Sequence, residues 1–155
     1  MSSIIKTSDE NASRLMGLFQ ELLGTLPPGA ATSGFTRTKN DDGTIVWLRP
    51  AKKQAAEFCA HIEDGNGSLI DVSFGSGTTF ELPTESRLPD NATFDMMLEA
   101  VRAMGLATIA GKCREYFGFM GIRGTIEVSE GSALRCSRFF HPRLLPKLVR
   151  YDPYV

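Results

Sequence analysis

Apolar and polar residues alternate along residues 58–82, interrupted by two glycine-rich turns. Because successive side chains of a β-strand point to opposite faces, this alternation predicts three antiparallel strands joined by short connections. If Phe74 pairs with Thr78 across the 75–77 loop, the apolar positions of these two strands lie on one face of the sheet. The connection that follows Ile62 must then contain an odd number of residues, so that the apolar positions of the preceding strand lie on the same face. The predicted core face consists of Phe58, Ala60, Ile62, Ile70, Val72, Phe74, Phe80 and Leu82.

Apolar residues spaced three and four apart predict two helices. Residues 9–26 carry one apolar stripe, which Ser8 or Asp9 is placed to cap and which Pro27 ends. A second, longer stripe begins near residue 90 and keeps helical phase to about Phe117. We therefore expect a long central helix, in which Gly105 marks the most natural point for a break.

Two further hairpins flank these elements, over residues 35–49 and 122–140, while 28–34 is expected to be a loop. Residues 141–146 predict a short helix or turn, and 151–155 an extended tail that packs against the rest. The order of elements predicts an α+β fold in a single domain. In this fold, an N-terminal helix and a long central helix pack on a largely antiparallel meander sheet of about seven strands.

The composition predicts an ordinary globular protein in the cytoplasm. The chain of 155 residues is 42% hydrophobic and 23% charged, without an apolar run long enough to span a membrane and without a basic–apolar leader. Three cysteines without a CxxC pair are typical of reduced thiols in the cytosol. No membrane partner is expected.

Charge is distributed unevenly along the chain. Residues 1–111 contain nine basic and fourteen acidic residues, whereas residues 112–150 contain eight basic and three acidic ones. The excess of basic residues in the second segment predicts a basic surface for an acidic partner, with Arg135, Arg138 and Arg143 as candidate binding residues. The alternative is that the two segments form complementary surfaces within one fold. The overall charge of −1, and the position of Arg135 and Arg138 on opposite faces of one strand, disfavour nucleic acid as that partner.

A second group of candidate binding residues lies on the polar face of the meander. His61 falls opposite or beside Asp71, and a carboxylate next to an imidazole is the arrangement of a general base or of part of a metal site. Cys59 lies two residues from His61 on the same face and is a candidate for a nucleophilic thiol. The alternative is a solvated polar face, since antiparallel sheets commonly have one side in water.

Motifs with a specific chemistry are missing from the sequence. It contains no GxxxxGK[ST], GxSxG or HExxH motif, no EF-hand and no paired CxxC. We therefore assign no catalytic residue, no cofactor and no metal.

The order helix, meander, helix, hairpin resembles that of small bacterial secretion chaperones, which bind an extended partner across a sheet or helix surface. The chain departs from that family by an extra hairpin and by the lack of strong acidity. We expect a non-catalytic protein-binding module that binds a protein partner or forms a homodimer. The alternative is a small-molecule-binding protein or modest enzyme, with a pocket between a curved sheet and the long helix and with His61, Asp71 or Cys59 at its wall.

Overall fold

The computed structural model describes residues 2–118, 121–139 and 146–155. Two helices and nine strands lie in these ranges, and the predicted α+β class is confirmed. The predicted helix or turn at 141–146 lies almost entirely outside them. The elements are α1 (Ser2–Gly24), β1 (Ala31–Arg37), β2 (Gly43–Pro50), β3 (Phe58–Glu63), β4 (Ile70–Phe74), β5 (Thr78–Leu82), α2 (Phe94–Ile109), β6 (Cys113–Phe117), β7 (Gly121–Ser129), β8 (Ser132–Phe139) and β9 (Lys147–Arg150).

The first sheet is an antiparallel meander of β1 to β5 in sequence order. Its register matches the predicted one, because Phe74 pairs with Thr78 and Val72 with Phe80. β3 and β4 join through a connection of odd length, so that Ala60 faces Val72. All eight residues of the predicted core face are buried. The 28–34 segment was wrongly predicted to be a loop: β1 already begins at Ala31, which pairs with Pro50.

The second sheet contains β8, β7, β6 and β9 in that spatial order, all antiparallel. The nine described strands therefore divide between a five-stranded and a four-stranded sheet, and α2 lies between β5 and β6 along the chain. Both sheets contribute to one hydrophobic cluster: Ile126 of β7 and Cys136 of β8 belong to it together with Phe58 of β3.

Helix α1 packs its apolar stripe on the first sheet. Leu15, Phe19 and Leu22 are buried, and the Phe19 ring stacks on Phe58 with 5.3 Å between centroids. The helix begins at Ser2, so the predicted start at Ser8 or Asp9 was wrong. Within the described part of the chain, neither helix is long and apolar enough to cross a membrane.

Helix α2 is shorter than predicted, because it ends at Ile109 and not near Phe117. Thr93 caps its start by accepting a hydrogen bond from the Met96 backbone N–H at 3.3 Å. Gly111 follows with φ of +71°, the left-handed conformation that commonly terminates helices. Residues 113–117 form β6 instead, and they alternate between buried and exposed positions with a period of two.

The C-terminal residues pack against the core, as predicted for the tail. Tyr154 is 2% exposed, and its hydroxyl donates to the Ala56 carbonyl oxygen at 2.6 Å. Its backbone N–H donates to the Ile109 carbonyl at 2.9 Å, and this bond ties the tail to the end of α2. The tail therefore links the β2–β3 connection to the central helix.

We expect Tyr154→Ala to lower the free energy of unfolding by about 3–5 kcal/mol, since it removes a fully buried aromatic side chain. Tyr154→Phe removes only the hydroxyl and leaves the Ala56 carbonyl without that donor, at a cost of about 1–2 kcal/mol. Urea unfolding followed by Trp47 fluorescence measures both. The neighbouring Val155 is 62% exposed, so Val155→Ala serves as the control. Equal stability of the Tyr154→Ala and Val155→Ala variants would contradict this packing.

Candidate functional site

The structure brings His61 and Asp71 together on the outward face of the first sheet. They are direct cross-strand partners, and Nδ1 of His61 lies 3.4 Å from Oδ2 of Asp71. Nε2 of the same ring is buried and has no hydrogen-bond partner among the described residues. It lies against Gly43, where an added Cβ would stand 2.7 Å from Nε2. The imidazole therefore lies flat on the sheet, with one nitrogen directed to a carboxylate and the other covered.

No further side chain completes a metal site around this pair among the described residues. Among the described residues, no group of three His, Cys, Asp or Glu side chains could hold a metal ion. His61, Asp71 and Cys59 do not line the three depressions that lie at 111–150 on the second sheet and between the two helices.

Cys59 is half-buried next to His61, but its environment disfavours the thiolate. Burial, and then the negative charge of Glu57, raise the pKa of the Cys59 thiol from 9.0 to about 11. Nucleophilic cysteines require a lowered pKa. Cys59 is therefore a protonated thiol at neutral pH and not an activated nucleophile.

The outward face of the second sheet is rich in arginine. Strand alternation places Arg114, Arg123, Arg135 and Arg150 on this side, and all four are exposed. The register arranges the outward side chains in two rows across β8, β7, β6 and β9. We call this surface the arginine face: one row is Arg135, Thr125, Arg114 and Arg150, and the next is Ser137, Arg123, Tyr116 and Leu148.

The four arginines have no carboxylate partner within the described part of the chain. Arg114 and Arg150 stand directly opposite each other on β6 and β9, at a Cα separation of roughly 5 Å. Like charges in direct cross-strand positions are destabilising. Glu127 is the nearest outward carboxylate on β7, two residues beyond the first row, and it makes no ion pair with them. Four arginines against the single carboxylate of Glu127, which lines the same depression as Arg114 and Arg150, give this face a net positive charge.

Four of the five other arginines whose side chains the structure describes form ion pairs with carboxylates. Arg37 contacts both Asp41 and Asp64, and Arg49 lies 3.2 Å from Glu57 while stacking on Trp47. The two helices are joined by ion pairs of the same kind, Arg14 with Asp95 and Arg102 with Glu21. The exception is Arg87, which is exposed and donates to the Ser132 hydroxyl at 2.7 Å without an ion pair among the described residues. Arginines without an ion pair are thus concentrated on the arginine face.

Two apolar side chains interrupt the charge on this face. Tyr116 and Leu148 are cross-strand partners on β6 and β9, 41% and 50% exposed. An open depression of about 500 Å³ lies beside them, with Arg114, Arg123 and Arg135 among its lining residues. A second depression of about 290 Å³ continues from Arg114 toward Arg150. The arginine face is therefore an open, shallow surface that suits an extended ligand better than an enclosed small molecule.

A buried carboxylate holds this face in place from beneath. Glu115 lies between Arg114 and Tyr116 on β6 but points inward, where it is 0% exposed. It accepts hydrogen bonds from the backbone N–H of Ser76 at 2.7 Å, from the backbone N–H and hydroxyl of Thr78 at 3.1 and 2.7 Å, and from the Tyr151 hydroxyl. The central strand of the arginine face is thereby fixed to the β4–β5 turn of the first sheet.

Of the arginines predicted from the sequence, the structure places Arg135 on this face. Arg138 pairs with buried Ile122 in the register of β8 and β7. It therefore belongs to the positions that alternate with that of Arg135, as the strand pattern predicts. Arg143 lies outside the described residues. Sequence reasoning missed Arg114 because residues 113–117 fit a helical pattern. It also missed Arg123, although the alternation of Ile122, Arg123 and Gly124 was visible.

No family model, curated protein or solved structure matches this chain.

We expect Cys59 to react with iodoacetamide about 100-fold more slowly than an ordinary thiol at pH 8, since raising the pKa from 9.0 to about 11 lowers the thiolate fraction by that factor. The reaction should accelerate as the pH approaches 11. Mass spectrometry of the Cys59 peptide, with glutathione as the reference thiol, measures the rate. A rate equal to or above that of glutathione would show an activated cysteine.

We expect Arg150→Thr to raise the free energy of unfolding by up to about 0.5 kcal/mol at low salt, because it removes the charge opposite Arg114. The gain should shrink in high salt, where repulsion between exposed charges is screened. Urea unfolding at two NaCl concentrations measures it. As a control, Arg49→Thr breaks a pair with Glu57 and should lower stability. A loss of stability in Arg150→Thr that is independent of salt would contradict charge repulsion on this face.

Proposed function

We propose that this protein is a non-catalytic binding module that holds an acidic, extended segment of a partner protein on its arginine face. The observation that carries the proposal is the clustering of four arginines without ion pairs on one sheet face, since four of the five other arginines with described side chains are paired. Repulsion between like charges is a cost of the unbound protein, and an anionic partner removes it. Electrostatic complementarity of this kind favours a specific partner and speeds its association.

Charge distribution favours a protein segment over a nucleic acid. Residues 1–111 have a net charge of −5, so most of the chain repels a long polyanion. Charges are felt over about 8–10 Å at physiological salt, and a short acidic segment confined to the arginine face avoids this repulsion. Nucleic-acid-binding surfaces also pair their cations with several stacking aromatics, whereas Tyr116 is the one aromatic in the two rows.

The chemistry of the thiols fits this proposal. Burial is the first cause that raises the pKa of Cys59 to about 11 and that of Cys113 to about 12, so both thiols stay protonated at neutral pH. A cytoplasmic location is proposed on the cysteine pattern of the sequence alone. Binding at an open sheet face requires no nucleophile and no metal.

A fluorescein-labelled decaglutamate peptide provides the direct test by fluorescence anisotropy. We expect saturable binding to the wild-type protein and at least a tenfold weaker affinity for Arg114→Glu/Arg150→Glu, because two attractive charges become repulsive ones. Affinity should also fall as salt is raised. The matched control is Lys39→Glu/Lys53→Glu, which changes the net charge equally at two exposed lysines outside the face and should alter affinity less than about threefold.

Two outcomes would overturn the proposal. One is an equal loss of affinity in the two double variants, which would show attraction to the net charge alone. The other is tighter binding of a labelled single-stranded oligonucleotide than of decaglutamate at physiological salt, which would identify a nucleic-acid surface instead.

A further inference from the structure

We infer that the segment bound on the arginine face carries a bulky apolar residue, which packs on Tyr116 and Leu148, and an acidic residue two positions away from it, which meets Arg114 and Arg150. The inference rests on the proposed function and specifies the sequence of the partner. Its basis is the placement of an exposed apolar pair directly next to a pair of arginines on the same two strands.

The apolar pair is the first observation. Tyr116 and Leu148 are exposed side by side on β6 and β9, while Cys113 and Phe117, on the inward face of β6, are buried. A partner that covers this apolar pair gains binding free energy of about 25 cal/mol for each Å² of apolar surface removed from water. Aromatic and aliphatic anchors at the centre of a polar rim are typical of protein-binding surfaces.

The spacing between the two rows is the second observation. Along β6, Arg114 and Tyr116 are two residues apart, which corresponds to about 6.8 Å in a strand, and Arg150 and Leu148 on β9 repeat the same spacing. An extended peptide presents residues i and i+2 on one side at that same distance. A segment that runs along these strands therefore places an acidic residue over the arginine pair when its apolar residue covers Tyr116 and Leu148.

The orientation follows from this match. A segment that crossed the strands would meet outward side chains about 4.8 Å apart, a repeat that an extended peptide does not reproduce. Arg123, next to Tyr116 in the same row, offers a further cation to a carboxylate beside the apolar residue. The preferred ligand is thus an acid-x-apolar segment in extended conformation, and not a run of acidic residues alone.

Three labelled peptides of equal length and charge test the inference. In the first, a leucine has glutamates at two residues on either side and serines elsewhere. The second contains the same residues with the glutamates directly adjacent to the leucine, and the third replaces the leucine of the first with serine. We expect the first to bind the wild-type protein about tenfold more tightly than the third, as burial of one aliphatic side chain predicts, and several-fold more tightly than the second.

The higher affinity that the leucine gives the first peptide should vanish in Leu148→Ala and persist in Leu106→Ala. Leu106 is a matched control because it is a leucine on α2 that is 44% exposed. Circular dichroism checks that both variants are folded, and the peptide series on the wild-type protein does not depend on them. Equal affinity for the three peptides would overturn the inference. If decaglutamate still bound in that case, the arginine face would remain a purely electrostatic site. If decaglutamate also failed to bind, the proposed function would fall with it.

Discussion

The arrangement of the two sheets depends on the carboxylate of Glu115. It receives four hydrogen bonds, two from backbone N–H groups of the 76–78 segment, one from Thr78 and one from Tyr151. Burial of a carboxylate lowers stability unless its oxygens accept hydrogen bonds, and buried N–H and O–H donors likewise need acceptors. Loss of either partner would therefore destabilise the contact between the sheets. Two glycines make the approach feasible, because a side chain on Gly75 would collide with the carboxylate and one on Gly124 with Thr78.

The same strand thereby serves two purposes. In β6, the inward Glu115 is fixed by the first sheet, whereas the outward Arg114 and Tyr116 face solvent. The hydrogen bonds to Glu115 hold the backbone that carries these outward side chains. Binding of a ligand therefore costs less backbone conformational entropy. The burial of Tyr154 between the β2–β3 connection and α2 holds the chain that follows β9 in a similar way. The backbone beneath the arginine face is therefore anchored to the first sheet.

The local pattern of apolar residues was sufficient to predict the strand pairing of the meander, and it was insufficient to predict that of the second sheet. The pairing of Val72 with Phe80 follows from one short turn and one uniform apolar face, and both are visible within 25 residues of sequence. Residues 113–117 fit helical and strand periodicity alike, so the alternation that exposes Arg114 was not recognised. The pairing of Arg114 with Arg150 joins residues far apart in sequence, and no local signal reports it. The arginine cluster therefore became apparent only from the tertiary structure, although the excess of charge in residues 112–150 predicted its sign.

A nuclear magnetic resonance titration of the ¹⁵N-labelled protein with the acid-x-leucine peptide would locate the ligand residue by residue. We expect saturable chemical-shift changes concentrated on the amides of Arg114, Tyr116, Thr125 and Arg150, with the β3 amides around His61 unchanged. Changes concentrated around His61, or spread evenly over the surface, would show that the arginine face is not where this protein binds its partner.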